Sequence, residues 1–291
     1  MANGIIVMDK PAGWTSMDVC GKLRRLLEER RVGHAGTLDP MATGVLPVFV
    51  GRATRAVEFA ESGGKEYIAG LRLGLETDTQ DSTGQVVAEH RVDCDRRGLE
   101  AVLAQFRGEI LQVPPMYSAL KRGGKKLYEL ARKGKTVERQ PRPVTISALE
   151  ILSQEGPDHY TLRIGCSKGT YIRTLCHDIG QVLGCGGVMD ALRRTQAAGF
   201  TLAEAVTMEQ VIQAAEAGCA EALLTPVDRF FDRYPALTVQ GRAERLCRNG
   251  NPFPWDAADG LYRVYGADGS FLMLGQLEEG QLKTVKSFFN V

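Results

Sequence analysis

The stretch AGTLDPMATG at residues 35–44 contains one carboxylate, Asp39, placed before a proline and between two glycines. An Asp-Pro pair is a favoured helix start, with the aspartate as N-cap and Pro40 as the first helical residue. Here such a helix would meet Gly44 one turn later, followed by the apolar run 45–50, which is typical of a strand. The segment therefore leaves little room for a helix that Asp39 could cap. A chemical role for Asp39 stays open as an alternative to the N-cap interpretation.

A carboxylate is an admissible covalent nucleophile, so Asp39 is also a candidate for chemistry. Its ordinary pKa of ~3.9 leaves it ionised at neutral pH. Burial in an apolar pocket would raise that pKa by ~3–5 units, and a neighbouring arginine would lower it by ~1–3 units. A buried nucleophile at this position therefore requires an arginine partner, which the sequence alone does not select.

A second candidate stretch is CSKGTYIRTL at residues 166–175. Its pattern predicts a strand, a glycine turn and a helix whose first turn carries Tyr171 and Arg173. The free N–H groups of such a turn can bind phosphate, although a purely structural role explains the pattern equally well. No phosphate-binding P-loop, dinucleotide fingerprint or H-E-x-x-H motif is present, so ATP, NAD and a catalytic metal lack sequence support.

Composition places the chain among ordinary globular proteins. Its 291 residues suffice for about two domains, with 44% hydrophobic and 24% charged residues. No apolar run approaches the ~18 residues of a membrane span, and the N-terminus does not resemble a signal peptide. The seven cysteines are scattered without a C-x-x-C pair, which favours a reduced, cytoplasmic protein. Three consecutive residues cannot face one point from a helix, so Cys176-His177-Asp178 is expected on a helix surface, not around a metal.

The charge distribution is uneven although the net charge is only +1. A basic segment, which we call the basic arm, is expected at about 115–143. It carries two acids, Glu129 and Glu138, and the basic residues Lys121, Arg122, Lys125, Lys126, Arg132, Lys133, Lys135, Arg139 and Arg142. Such a run is often just a solvated face. The flexible pair at 123–124 and the two tyrosines of the segment also suit an arm laid along phosphates.

Hydrophobic periodicity predicts an α+β fold around a central, mostly antiparallel sheet. Strands are expected at 4–8, 45–50, 65–74, 84–92, 109–113, 144–152, 160–166 and 191–200, with 65–74 next to 84–92 and 144–152 next to 160–166. Helices are expected after a capping box at 15–18 and at 54–60, 97–107, 170–183 and 208–217. A boundary near 232–235 precedes a small unit with a helix at 243–248 and strands at 260–265, 270–275 and 281–285.

Six motifs, taken together and in order, resemble the bacterial tRNA pseudouridine synthase B family. They are DKP at 9–11 leading to WTS at 14–16, GHAGTLDP at 33–40, KEY at 65–67, VPPMYSALK at 113–121, GTYIR at 169–173 and LRRT at 192–195. The resemblance implies the pseudouridine synthase fold, with a catalytic domain at 1–232. It also implies a small PUA-like, β-rich RNA-binding domain at 233–291, although that match is vaguer.

The activity that the resemblance implies is isomerisation of the uridine at position 55 in the T-loop of tRNA to pseudouridine. The reaction proceeds by base flipping and nucleophilic attack, without a cofactor. By family match Asp39 is the nucleophile, Arg173 its ion-pair partner, and Tyr67 the aromatic that stacks on the base and helps to remove the C5 proton. Tyr171 and Leu192 match pocket residues around that base.

Further positions take their expected roles from the same resemblance. His34 matches a residue that contacts the loop after the uridine has turned out, although a structural histidine in a turn is the simpler interpretation. Lys10 and Pro11 are expected to form a turn packed beneath the site. Lys121 and Arg122, in the basic arm, would contact the minor groove and phosphates of the T-stem. The expected partner is the tRNA T stem-loop alone, bound by a monomer with no membrane contact and no required protein partner.

Three other functions remain open at this point. An RNA chaperone would use the same base flipping and basic arm without modifying its RNA. An RNA-guided relative would work inside a ribonucleoprotein and carry a larger C-terminal domain. A glycosidase that uses Asp39 would need a second carboxylate ~5–10 Å away, which the sequence does not nominate.

Overall fold

The computed structural model describes residues 2–60 and 63–289. The expected domain ranges 1–232 and 233–291 also include Met1, 61–62 and 290–291, which lie outside the described residues. Two main sheets organise the described part, one of nine strands and one of five strands near the C-terminus. The predicted α+β class with a β-rich C-terminal domain is confirmed. In the two described ranges, no helix has the length and apolar character needed to cross a membrane.

The strands, in chain order, are β1 (Gly4–Lys10), β2 (Val32–His34), β3 (Thr43–Val50), β4 (Lys65–Leu73), β5 (Leu75–Thr77), β6 (Val86–Glu89), β7 (Gly108–Gln112), β8 (Lys121–Arg122), β9 (Lys125–Lys126), β10 (Arg142–Glu155), β11 (His159–Cys166), β12 (Gly187–Ala197), β13 (Phe200–Thr201), β14 (Ala236–Thr238), β15 (Phe253–Pro254), β16 (Gly260–Tyr265), β17 (Phe271–Glu278) and β18 (Gln281–Ser287). The α-helices are α1 (Ser16–Leu26), α2 (Val57–Ala60), α3 (Arg96–Leu103), α4 (Leu127–Ala131), α5 (Ile172–Leu183), α6 (Met208–Glu216) and α7 (Gly241–Arg248). Short 3₁₀ helices lie at Gly51–Ala56, Ala104–Phe106, Leu202–Glu204, Ala220–Leu223 and Val227–Phe231.

The large sheet runs in the order β1-β3-β12-β4-β11-β10-β7, with β2 paired to β3 and β13 paired to β12. Along this path only the β12–β3 contact is parallel, so the predicted antiparallel character is confirmed. Strands β3, β12 and β4 are consecutive neighbours in the sheet. This order brings the turn before β3, at residues 35–44, next to side chains of β4 and β12.

Helix α1 shows how local sequence fixes one of the elements that flank the site. Thr15 accepts a hydrogen bond from the backbone N–H of Asp18, and the Asp18 carboxylate accepts one from the backbone N–H of Thr15 at 2.8 Å. This reciprocal capping box satisfies two helix-end donors, as the sequence predicts. Val19 and Leu23 then lie fully buried on the core side of the helix.

The five-stranded sheet packs through aromatic side chains against the part of the chain that precedes it. The ring of Phe231, which is fully buried, lies 6.2 Å from that of Phe271 and 5.7 Å from that of Phe288. Arg55 adds a polar link by donating a hydrogen bond of 2.9 Å to the carbonyl of Ser287. Because rings of this size bury ~150–250 Å² each, these contacts join the two sheets through a shared apolar core.

Two strand predictions are wrong. Segment 84–92 does not pair with β4, because both edges of β4 are occupied by β11 and β12; instead β6 pairs with β5. Gly74, with φ of +87°, turns the chain out of the large sheet between β4 and β5. The single strand expected at 191–200 starts earlier and is broken by a turn at Ala198-Gly199, where both φ angles are positive, as hairpin turns require.

Some short strands and the burial of one side chain were also not predicted from the sequence. The short strands β2, β5, β8, β9, β14 and β15 were not predicted, since each has only two or three residues and no readable alternation. Cys176 was expected on a helix surface together with His177 and Asp178. It is instead fully buried on the core side of α5, while its two neighbours are half-buried.

Candidate active site

Asp39 lies in a tight turn and not at a helix start. The backbone N–H of Ala42 donates a hydrogen bond of 3.0 Å to the Asp39 carbonyl, so Pro40 occupies the second position of a β-turn, where its fixed φ is favoured. The N-cap interpretation is therefore wrong. We call residues 35–44 the Asp39 turn. It connects β2 to β3 and has few backbone hydrogen bonds of its own.

Arg173, at the start of α5, is the arginine that meets Asp39. Its Nη2 lies 2.6 Å from Oδ2 of Asp39, and its Nη1 lies 3.6 Å from Oδ2 of Asp81. Arg173 and Asp81 are buried, with side chains 8% and 5% exposed, whereas the Asp39 side chain is 34% exposed. The Asp39 side chain is thus half-buried, and part of it is open to solvent.

The electrostatics of the site are set by opposing contributions to the pKa of Asp39. Burial raises this pKa above its ordinary value, and the nearby carboxylate of Asp81 adds to the rise. The cations of Arg173 and Lys10 oppose it. Since a carboxylate must be ionised to act as a nucleophile, these two cations favour the reactive form of Asp39.

Lys10 holds the Asp39 turn from the N-terminal side. Its fully buried ammonium donates hydrogen bonds to the carbonyls of Pro11 at 2.8 Å, Trp14 at 2.6 Å and Pro40 at 3.2 Å. All three ammonium protons therefore have a carbonyl acceptor. Burial lowers the pKa of Lys10 to about 8. The lysine fastens the residue that follows Asp39 and places a positive charge near the carboxylate.

Asp81 belongs to the loop between β5 and β6 and is held by two threonines of that loop. Its Oδ1 accepts hydrogen bonds from the hydroxyl groups of Thr79 at 2.9 Å and Thr83 at 2.5 Å. Thr174, the residue after Arg173, donates a hydrogen bond of 2.7 Å to the side chain of Gln80 in the same loop. The loop thereby fixes the first turn of α5, and Asp81 is committed to Arg173 and the threonines.

The aromatic and apolar side chains expected near the base come from three different elements. Tyr67 on β4 is 6% exposed and Leu192 on β12 is 9% exposed. Tyr171, just before α5, is half-buried; Gln112 fixes its backbone by accepting from its N–H at 2.8 Å and donating to its carbonyl at 3.1 Å. Burial raises the pKa values of Tyr67 and Tyr171, so both phenols are protonated at neutral pH.

His34 ends β2, immediately before the Asp39 turn. It is half-buried, and its Nδ1 has no hydrogen-bond partner among the described residues. Burial and the nearby Arg194 cation lower its pKa, so the ring is neutral at physiological pH. A neutral imidazole with an unused nitrogen suits a contact that forms only after a substrate enters.

Lys121 and Arg122 do not join this cluster and lie instead on an exposed hairpin. Strands β8 and β9 pair around Gly123 and Gly124, whose positive φ angles of +57° and +80° close a two-residue turn. Arg122 donates a hydrogen bond to the carbonyl of Glu138 within the same arm. The arm thus presents basic side chains in a fixed hairpin, and not as an extended segment.

Sequence reasoning missed Asp81 and Arg194, which both lie close to the Asp39 turn in space but far from it in the chain. For Asp81 the usable signal was the polar stretch DTQDSTG at 78–84, which indicates a structured turn. Arg194 belongs to the motif LRRT, which by itself gives it no role. The burial of Arg194 could not be predicted, because two adjacent arginines in a sequence are typical of a solvent-exposed surface.

The fold and this site define the class of protein. A chain of the crystal structure titled "Crystal Structure of a Cbf5-Nop10-Gar1 Complex" superimposes with a TM-score of 0.75 and 26% identity, over 99% of this chain and 85% of that chain. The archaeal box H/ACA sRNP Nop10-Cbf5 complex gives a TM-score of 0.72 with 26% identity, over 99% and 86%. The architecture is that of the pseudouridine synthases.

Sequence comparison gives the family. The family model for the N-terminal domain of the TruB family pseudouridylate synthases matches residues 24–172, and that for the tRNA pseudouridylate synthase B C-terminal domain matches residues 173–232. Proteins called tRNA pseudouridine synthase B are similar: the one from Azoarcus sp. (strain BH72) is 46% identical over 97% of this chain and 94% of its own length, and the one from Stutzerimonas stutzeri (strain A1501) is 46% identical over 95% and 92%. This chain belongs to the TruB family of pseudouridylate synthases and is an enzyme of that family.

Proposed function

We propose that this chain isomerises the uridine at position 55 in the T-loop of tRNA to pseudouridine, with Asp39 as the nucleophile. The observation that carries the proposal is the contact of 2.6 Å between Arg173 and the half-buried Asp39 carboxylate, which also interacts electrostatically with the phenols of Tyr67 and Tyr171. The relatives that are named for this activity on tRNA match over nearly their whole length, which supports tRNA as the substrate.

In the proposed reaction the Asp39 carboxylate attacks the uridine, at C6 of the base or at C1′ of the ribose. The glycosidic C1′–N1 bond breaks, the uracil turns, and C5 bonds to C1′. The bond between Asp39 and the substrate breaks, which frees the carboxylate. A proton then leaves C5, which Tyr67 helps to remove, and N1 gains one, so that the product is an isomer of the substrate. The atoms balance without a redox step or transferred group, and no cofactor is required.

Substrate entry requires the uridine to leave the loop stack. Flipping a nucleotide costs a few kcal/mol, whereas stacking on an aromatic side chain returns ~1–3 kcal/mol per base. Since these two terms nearly cancel, a further contact decides the balance. We assign that contact to His34, whose Nδ1 is unpartnered among the described residues, and the stacking to Tyr67. Tyr171 and Leu192 would close the pocket around the base.

RNA binding is assigned to the basic arm and the C-terminal β-rich domain. Lys121 and Arg122 are exposed in a hairpin, as contacts to the T-stem backbone require. We further propose that the enzyme acts as a monomer in the cytoplasm, needs no protein partner, and uses residues 1–232 for catalysis and 233–291 as a PUA-like RNA-binding domain. All seven cysteines are free thiols, which agrees with a reducing compartment.

A second candidate function comes from the structural similarity to chains solved in Cbf5-Nop10-Gar1 complexes. A protein of that type would act as part of an assembly with RNA and protein partners. One experiment separates the two: a bare T stem-loop transcript is incubated with the purified chain, and pseudouridine is tagged chemically and mapped by mass spectrometry. A transcript with cytidine at position 55 is the control.

The proposed function predicts modification of the bare stem-loop at position 55 and none of the control. Modification that appears only after a guide RNA or protein partner is added would favour the second candidate. RNA binding with no product under either condition would leave an RNA-holding protein and contradict both.

A further inference from the structure

Arg194 is a fully buried arginine near the site, and the contacts described for Asp39 do not give it a role. It lies on β12 with 0% of its surface exposed, and no salt bridge joins it to a carboxylate within residues 2–60 and 63–289. Burying an ion costs several kcal/mol even after the protein relaxes. An apolar residue of similar volume would avoid that cost, so a cation at this position requires a reason beyond packing.

Two of its hydrogen bonds join the two ends of the Asp39 turn. Arg194 Nε donates to the carbonyl of Val45 at 2.7 Å, and Nη2 donates to the carbonyl of Gly36 at 3.0 Å. Gly36 precedes Asp39 and Val45 follows the turn at the start of β3. The planar fork of a guanidinium can bridge two such carbonyls, which a lysine ammonium with its single nitrogen does less well.

The third nitrogen of the fork is unused. Nη1 is buried and has no hydrogen-bond partner among the described residues. It lies beside Gly36, where an added Cβ would come within 3.3 Å of it, so the glycine leaves room around this atom. A buried donor without an acceptor costs about 1–3 kcal/mol, so an acceptor close to this nitrogen would be stabilising.

The neighbour on the next strand is Tyr67. Arg194 and Tyr67 are directly opposed in the antiparallel β12–β4 register, so their side chains leave the sheet on the same face. The Arg194 cation also opposes the rise that burial causes in the pKa of Tyr67, whereas Asp39 and Cys166 add to that rise. Arg194 therefore interacts with the hydroxyl group of Tyr67 as well as with the Asp39 turn.

We propose that Arg194 is a positioning residue: its guanidinium ties the two ends of the Asp39 turn together and offers its remaining nitrogen to the hydroxyl group of Tyr67. It thereby fixes the position of Asp39 relative to Tyr67 and stabilises negative charge on the Tyr67 oxygen. The inference rests on the proposed function only where Tyr67 helps to remove the C5 proton, for which its phenol must first give up its own proton. The contact itself is independent of the substrate.

The test measures the acidity of the side chain at position 67 directly. A 3,5-difluorotyrosine, whose phenol is more acidic than that of tyrosine, is incorporated at position 67 and titrated by fluorine NMR. The backgrounds are the unchanged chain, R194M, R194Q and R194K, and circular dichroism checks that each is folded. R193M is the matched control, because Arg193 is the adjacent arginine, pairs with Asp9 at 2.8 Å and is 43% exposed.

The expected result is a pKa at position 67 that rises by about 1–3 units in R194M and R194Q, the range for loss of a nearby opposite charge. It rises less in R194K and does not change in R193M. If neither neutral variant folds, R194K decides, because one ammonium nitrogen then stands in for the three guanidinium nitrogens that serve the two carbonyls and the phenol. An unchanged pKa in the folded R194 variants would overturn the proposal, as would an equal shift in R193M.

Activity separates this inference from the proposed function. Single-turnover rates on the T stem-loop should fall in every R194 variant while RNA affinity is retained, and R194K should be faster than R194M. Wild-type protein that forms no pseudouridine would contradict the proposed function, whereas the NMR titration would still decide the contact between Arg194 and Tyr67. Normal rates in R194M would overturn the positioning role.

Discussion

Arg173 contacts two carboxylates at once, with Nη2 at 2.6 Å from Asp39 and Nη1 at 3.6 Å from Asp81. The Asp39 side chain is 34% exposed, whereas that of Asp81 is 5% exposed. The arginine is therefore held by a buried acid at one terminal nitrogen and contacts the more accessible candidate nucleophile with the other. This asymmetry leaves one carboxylate accessible while the other orients the arginine that they share.

Replacing Arg173 with methionine should nearly abolish turnover. The change removes the cation that opposes the rise in the pKa of Asp39, so that pKa rises further and a smaller fraction is ionised at a given pH. Removal of one such electrostatic contact typically costs roughly 10²–10³-fold in rate. Single-turnover rates measured from about pH 5 to pH 8 should show the acid limb of R173M at higher pH than in the wild type.

Arg173→Lys is the matched variant, since it keeps the charge and loses the forked geometry. In R173K the pH of the acid limb should return close to the wild-type value, whereas the maximal rate should recover less. A rate in R173M equal to that of the wild type at neutral pH would exclude the assigned role.

Asp81→Asn should slow the reaction without preventing RNA binding. Asparagine keeps the shape of the side chain but removes the second negative charge that holds Arg173. A displacement of about 1 Å at a reacting group can cost about 10²-fold in rate. The measurement is the single-turnover rate at saturating stem-loop. Asp78→Asn is the control, because Asp78 lies exposed in the same loop; an equal loss in both variants would point to disruption of the loop instead.

Lys10 gives a pH dependence of stability whose sign follows from its pKa. The folded-state pKa is about 8, below the ordinary value of 10.5, so the unfolded chain binds more protons between these values. The contribution of Lys10 to the free energy of unfolding is therefore least favourable below pH ~8 and increases as pH rises toward ~10.5. Urea unfolding of the wild type and of Lys10→Met over this range isolates the effect as a difference.

In that comparison Lys10→Met should be less stable throughout, because the carbonyl groups of Pro11 and Trp14 lose their donor, each at about 1–3 kcal/mol if left unsatisfied, whereas that of Pro40 keeps the backbone N–H of Gly13 at 2.8 Å. The wild-type advantage should grow with pH across the window. A difference that is constant with pH would contradict the lowered pKa of this lysine.

The basic arm is expected to bind phosphates of the stem. Changing Lys121, Arg122 and Lys125 to alanine should weaken binding of the T stem-loop and reduce the slope of log K against log salt by about 0.7–0.9 for each phosphate that the arm no longer neutralises. Filter binding at a series of salt concentrations measures both quantities. A variant with alanine at Arg91, Arg96 and Arg97 has the same net charge change outside the arm, and an identical slope in the two variants would mean that the arm does not touch phosphate.

Features that depend on neighbouring residues were predictable from the sequence. The capping box of Thr15 and Asp18 and the strand at 45–50 follow from local patterns, and both are present. The pairing of β6 was not predictable, because it depends on β11 and β12 having already filled both edges of β4. A partner so distant in the chain leaves no periodic signal in the segment itself.

The same distinction applies to the site. The chemistry of Asp39 in an Asp-Pro turn requires an arginine, yet only the family motif pointed to Arg173 among the many arginines of the chain. Neither Asp81 nor Arg194 was predicted as part of the site, because their roles depend on strand order and burial. The half-exposed state of Asp39 also depends on how the turn sits against the sheet, which a pattern of residue types does not specify.

The central claim is that the Asp39 carboxylate performs the nucleophilic attack. Asp39→Asn removes the negative charge with almost no change in shape, and Arg173 keeps Asp81 as a counter-charge, so the variant should fold and bind tRNA with unchanged affinity. The decisive measurement is mass spectrometry of chemically tagged tRNA after incubation with wild type and variant under single-turnover conditions. We expect complete conversion at position 55 by the wild type and no pseudouridine with Asp39→Asn. Product formed by the variant at the wild-type rate would contradict it.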